Sequence, residues 1–151
     1  MIYVGIDPGL RSGAVAAIDH NGKVTGCADI PAIDDRVDVI SLNTLIRSMI
    51  PNGDDFCITI EQVGVMPGQG ISSTGRFMRA AGAIETVGLL LAKEIVLVRP
   101  QAWKKALGVT AEKETSLNLA RSLFPEASLK RKKDHGRAEA LLIAEYTRRQ
   151  S

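Results

Sequence analysis

The chain has 151 residues, 45% of them hydrophobic and 24% charged, which suits one globular domain able to bury roughly 70% of its unfolded-chain surface. No uncharged apolar run approaches 18 residues, so no membrane span is expected, and the start of the chain carries no basic, cleavable leader pattern. The net charge of +2 hides an asymmetry: residues 1–98 hold 7 Lys/Arg against 11 Asp/Glu, and residues 99–151 hold 12 against 6. A basic C-terminal third suits a phosphate-rich partner, since Lys and Arg displace the counterions condensed on a nucleic acid.

In chain order, residues 2–7, 13–19 and 23–30 read as three successive strands, with Asn21-Gly22 as the hairpin turn between the second and third. Val39, Ile40, Leu42, Leu45, Ile46 and Met49 recur at helical spacing over 38–50, and Pro51-Asn52-Gly53 ends that helix. A strand over 56–63 follows. A Gly-rich segment at 64–70 then leads into a long helix at 72–93, rich in small residues such as Ala80, Ala81, Gly82 and Gly88. Ile95–Val98 is a short strand, 101–107 a helical turn or short helix, and 112–123 a helix. A loop at 125–133 precedes the last helix at 134–149. With no repeat or linker, this order predicts one α/β domain over residues 1–151, a single mixed sheet with helices on its faces. Cys27 and Cys57 are isolated in strands, which fits buried thiols in a reducing compartment and neither a disulfide framework nor a zinc site.

The chemistry sits at the ends of the apolar runs. Ile2-Tyr3-Val4-Gly5-Ile6 closes on Asp7, and Phe56-Cys57-Ile58-Thr59-Ile60 closes on Glu61. A carboxylate at the end of a buried strand is costly unless a cation pairs with it. Two of them close together would repel and raise one pKa, which Mg²⁺ or Mn²⁺ relieves by taking oxygen ligands. A third acidic point is Asp134 with Glu139 at the start of the last helix, where His135 and Glu139 share a face as i and i+4. Asp134 reaches that site only from an N-cap position, and Asp is also a preferred N-cap on structural grounds alone. Three such points suggest metal-assisted cleavage of nucleic acid. Lys130, Arg131, Lys132 and Lys133 would then contact phosphates, with Lys113 as a further phosphate contact or an exposed helix charge. The turn Asp7-Pro8-Gly9-Leu10-Arg11-Ser12-Gly13 resembles the phosphate-holding turn of the actin, sugar-kinase and heat-shock ATPases. Those need two such domains around the nucleotide, so no nucleotide cofactor is expected.

Gly5-Ile6-Asp7-Pro8-Gly9, Ile60-Glu61-Gln62-Val63 and Ala138-Glu139-Ala140-Leu141-Leu142-Ile143-Ala144 together resemble the RuvC-type Holliday junction resolvases of the ribonuclease H-like superfamily. The last segment is similar to the chloroplast resolvases of the monokaryotic-chloroplast type and related phage and bacterial proteins. The resemblance implies a ribonuclease H-like fold with a mixed five-stranded sheet, its first three strands antiparallel. It implies a homodimer with two Mg²⁺ or Mn²⁺ per active site, held by Asp7, Glu61, Asp134 and Glu139 and assisted by Lys113. Paired symmetric nicks in four-way DNA, leaving 5′ phosphates, would follow, in a nucleoid-bearing cytoplasm or that of a phage host. Arg76 and Arg79 on the long helix would face DNA or the dimer contact, and His135 would be auxiliary. The alternatives are cleavage of forks, flaps or RNA, and a non-catalytic junction-binding module. Two positions depart from the family pattern: Gly136 stands where an acid or His precedes the last carboxylate by three residues, and Gly64 where many members carry an aromatic. A wedge against the junction bases would have to come from Val65, Met66 or Phe77.

Overall fold

The computed structural model describes residues 1–64, 67–92 and 94–151. Strands β1 (Ile2–Asp7), β2 (Ala14–Asp19) and β3 (Val24–Asp29) form an antiparallel meander. The Asn21-Gly22 turn closes its second hairpin. Gly22 takes φ 83°, and Asp19 Oδ1 accepts from the backbone N–H of Asn21 and Lys23. A two-stranded ribbon, β4 (Ala32–Ile33) and β5 (Arg36–Val37), follows before helix α1 (Val39–Met49). The sequence gives no warning of this ribbon, because its strands are two residues each, too short for an alternation to show. Its turn places Asp34 and Asp35 at positive φ (48° and 61°). Asp38 caps α1 through the Ser41 N–H.

Strand β6 (Phe56–Glu61), helix α2 (Ile71–Leu91), strand β7 (Ile95–Val98) and helices α3 (Pro100–Leu107), α4 (Lys113–Leu123) and α5 (His135–Gln150) complete the chain. The strand expected over 56–63 stops at Glu61. The helical turn or short helix expected at 101–107 is an eight-residue helix with Pro100 in its first turn and Gly108 (φ 72°) as its left-handed cap. A 3₁₀ turn over Lys132–Asp134 ends the basic loop, so α5 begins at His135. The predicted end of the long helix at residue 93 and the wedge candidates Val65 and Met66 lie outside the described residues.

The sheet order is β3-β2-β1-β6-β7, with β6 parallel to β1 and β7 parallel to β6. Alternation splits the strands between two cores. Ile2, Val4, Ile6, Val15, Ala17, Ile58 and Ile60 pack with α1 and α2, and Tyr3, Ala14, Ala16 and Ile18 pack with α3, α4 and α5. Asp7 and Glu61 follow the second alternation and therefore point to the α5 side.

Gly5 sets how close α5 comes. A Cβ there would run into the Ala140 carbonyl and the Ala144 backbone, so the helix lies directly on β1. Cys27 and Cys57 are free and partly buried, and burial pushes the Cys27 thiol pKa up to about 12. Among the described residues no helix is long and apolar enough to cross a membrane.

Candidate active site

Parallel pairing of β1 with β6 aligns Ile6 with Ile60, so Asp7 and Glu61 leave adjacent strand ends at the same level. Glu139 reaches them from α5, one turn after the helix crosses the β1–β2 loop. Gly136 marks that crossing, because a Cβ there would meet the Ser12 carbonyl and lie 3.4 Å from Asp7 Oδ2. A side chain at 136 would require the Ser12 backbone to shift. Carboxylate oxygens of Asp7, Glu61 and Glu139 all lie within 4.8 Å of one another.

Crowding shows in their protonation. Burial, then the charges of Glu139 and Glu61, hold the Asp7 pKa well above the ordinary carboxylate value, against the pull of Lys104 and Lys113. Glu61 is raised mainly by burial and also by Glu139, with its hydrogen bond from Trp103 and the charge of Lys104 opposing. Three partly or fully buried acids around one point, two of them reluctant to ionise, form an oxygen donor set that a hard divalent cation would complete.

These acids open onto a cleft of about 470 Å³ whose walls include Pro8, Gly9, Arg11, Ser12, Arg76, Phe77, Lys113 and His135. Lys113 and His135 therefore line the same cleft as the three acids. Burial and the neighbouring Lys113 lower the His135 pKa, against the opposing charges of Glu139 and Asp134, and this favours a neutral imidazole.

The structure does not bring Asp134 to the cluster. Its side chain, 1% exposed, is turned away to Arg131, whose Nε and Nη2 donate to Oδ1 at 3.0 and 2.7 Å and whose backbone N–H donates to Oδ2 at 2.8 Å. This grip holds the Asp134 pKa below its usual value. It closes the 3₁₀ turn that leads into α5. Spacing from Glu139 cannot reveal it, because the competing partner lies on the N-terminal side.

The predicted basic contacts divide in the same way. Arg131 is committed to Asp134, and Arg76 pairs with Asp35 at 3.3 Å on the cleft wall. Arg79 lines a smaller recess beside Arg76. Lys130, Lys132 and Lys133 are exposed and, like Lys113, make no ion pair among the described residues. Part of the C-terminal basic surplus is spent internally, with Arg137 on Asp29 and both Arg148 and Arg149 on the buried Glu145.

Two site residues escape the sequence pattern. Trp103 Nε1 donates to Glu61 Oε2 at 2.7 Å, and Lys104 Nζ lies 3.2 Å from Glu139 Oε1 and 5.1 Å from the Trp103 ring centre. The one available hint is the lone tryptophan of a short helix, since a buried indole N–H needs an acceptor.

A meander followed by two parallel strands, crossed by a C-terminal helix that carries a carboxylate to the ends of β1 and β6, defines a ribonuclease H-like α/β fold with an acidic centre. Thermus thermophilus RuvC has this fold. The RuvC structure in complex with Holliday junction substrate matches with a TM-score of 0.72 and 15% identity, over 100% of this chain and 97% of that one. A second Thermus thermophilus RuvC structure matches with a TM-score of 0.69 and 18% identity, over 99% of this chain and 96% of that one. In sequence, the chain is 36% identical over 98 residues to the chloroplastic Holliday junction resolvase MOC1 of Chlamydomonas reinhardtii, which is 58% of this chain and 10% of that protein. The match thus spans about a tenth of the length of that curated relative. No family model matches the chain.

Proposed function

We propose that this chain is a metal-dependent endodeoxyribonuclease that resolves four-way DNA junctions by paired symmetric nicks, working as a homodimer on the DNA of a nucleoid or of a phage-infected host. The observation that carries the reading is the meeting of Asp7, Glu61 and Glu139 within 4.8 Å at the floor of an open cleft. The likeness in fold to RuvC and in sequence to a junction resolvase supports it.

Mg²⁺ or Mn²⁺, two per site, would be held by these three carboxylates. Bound there, the ions supply an activated water and charge neutralisation at the leaving 3′ oxygen, giving a 5′-phosphate product. The protein supplies the rest. Gly5 and Gly136 fix α5 so that Glu139 meets the strand-borne acids. Lys113 holds the scissile phosphate from the cleft wall, and neutral His135 beside Glu139 accepts or relays a proton. Arg76 with Lys132 and Lys133 hold the flanking backbone, which sets position and leaves sequence unread. Phe77, on the same wall, is the described wedge candidate against the junction bases.

The test is cleavage of a labelled four-way junction beside matched duplex, fork and RNA–DNA hybrid, in Mg²⁺ or Mn²⁺ and in EDTA. Symmetric metal-dependent nicks confined to the junction are expected. Cutting of forks or hybrids alone would keep the active site and replace the substrate. Binding of the junction without cutting would overturn the enzyme reading.

A further inference from the structure

We infer that Trp103 is a positioning residue for metal binding, its indole N–H fixing the Glu61 carboxylate toward Asp7 and Glu139; this rests on the metal reading of that site.

The placement follows from the chain path. Glu61 pairs with Val98 at the end of β7, and the Gln62 N–H extends the pairing by donating to the Val98 carbonyl at 2.8 Å. Pro100 starts α3 two residues later. Its first turn is closed by the Ala102 N–H on the Arg99 carbonyl, which sets Trp103 directly behind the Glu61 side chain. The ring is 0% exposed and packs in the core that holds Leu117, Phe124 and Leu141, so the N–H has no freedom to follow a moving acceptor. The carboxylate must come to the indole.

A tryptophan that merely filled this core would be served by any carbonyl oxygen. Here the acceptor is instead one of three crowded acids, on the oxygen-rich side of the sheet end, at 2.7 Å. A partner that orients a metal-binding carboxylate in this way commonly accounts for about 10–100-fold in metal affinity. Trp103 is also the chain's one tryptophan, so its fluorescence reports on this contact without a label.

The experiment measures Mn²⁺ binding by calorimetry for the unaltered chain, Trp103→Phe and Glu61→Gln, with melting curves in EDTA. It also follows tryptophan emission of the unaltered chain and of Glu61→Gln as Mg²⁺ is added. Trp103→Phe removes the donor and part of the ring, the packing loss being read from the melting curves, and it is expected to bind Mn²⁺ about 10-fold or more weakly. Emission of the unaltered chain is expected to change on Mg²⁺ addition, and that change is expected to be lost in Glu61→Gln. Unchanged Mn²⁺ affinity in Trp103→Phe, beside a weakened Glu61→Gln, would overturn the positioning role alone. If Trp103→Phe fails to fold, the emission decides: no Mg²⁺ response, or one that persists in Glu61→Gln, overturns it. No Mn²⁺ binding by the unaltered chain would overturn the metal reading, and this assignment with it.

Discussion

Lys104 Nζ stands 3.2 Å from Glu139 Oε1, with its side chain 19% exposed and that of Glu139 12%, and it is the nearest compensating cation for the whole acidic cluster. Its charge also opposes the rise in the Asp7 and Glu61 pKa values. Removing one partner of a largely buried pair leaves the other uncompensated, so Lys104→Met should cost about 1–3 kcal/mol at neutral pH without metal. Both carboxyl pKa values should rise further in the folded state, so the deficit should shrink as pH falls through those raised values. Saturating Mg²⁺ should also shrink it. Denaturant unfolding at pH 4 and pH 7, with and without Mg²⁺, checks this, and a deficit independent of both would sink it.

Asp7 carries a raised pKa caused chiefly by burial and then by Glu139 and Glu61. The folded state therefore holds this proton more tightly than the unfolded chain. The associated stability is complete below the unfolded carboxylate pKa and is lost as pH rises through the folded value. Asp7→Asn removes the charge and should raise the metal-free melting temperature at pH 7 by ~2–4 °C, for a gain of about 1 kcal/mol. The same variant should abolish junction cutting while leaving junction binding intact. Retained cutting, or a fall in melting temperature, would count against the assignment.

How much of this was legible can be read from Asp7 and Glu61. Each ends a largely apolar run, and the period of a strand places both on one face once the strands pair, so their meeting follows from local pattern. Glu139 was equally visible, as the acid in an apolar helix. Trp103 and Lys104 were not, because their roles depend on α3 starting just past the β6–β7 pairing, a relation between elements that no window of sequence contains. Asp134 was misplaced for a related reason. Its five-residue spacing from Glu139 is compatible with a shared site, and only the conformation of the preceding turn turns it to Arg131. The β4–β5 ribbon escapes the pattern because its strands are two residues each, too short for an alternation to show.

Gly5 lets α5 lie directly on β1, since any side chain there would overlap the Ala140 carbonyl and crowd the Ala144 backbone. These are backbone atoms of a helix buried on the sheet and cannot step aside as a flexible side chain would. Gly5→Ala should therefore destabilise by about 2–4 kcal/mol and withdraw Glu139 from the strand ends. Urea unfolding should show the lower midpoint, and calorimetry should show weakened Mn²⁺ binding in the fraction that folds. A change below about 0.5 kcal/mol would mean that α5 does not lie on β1 as described.

Asp134 gives the sharpest separation between a structural and a catalytic acid. Three hydrogen bonds from Arg131 reach its carboxylate, and its pKa is lowered chiefly by the side-chain bonds among them. A carboxyl with a lowered folded pKa contributes stability above its unfolded value and loses it as pH falls through the folded one. Asp134→Asn should thus cost about 1–3 kcal/mol at pH 7, with the cost diminishing in acid, since charge-assisted bonds on a buried group are lost. Mn²⁺ affinity should stay within about 3-fold of the unaltered chain, whereas Glu139→Gln should lose at least about 10-fold, the difference expected between a partner outside the cluster and a ligand within it. Calorimetry on the two variants decides the matter: equal losses of affinity would place Asp134 among the metal ligands and require its release from Arg131 when the ion binds.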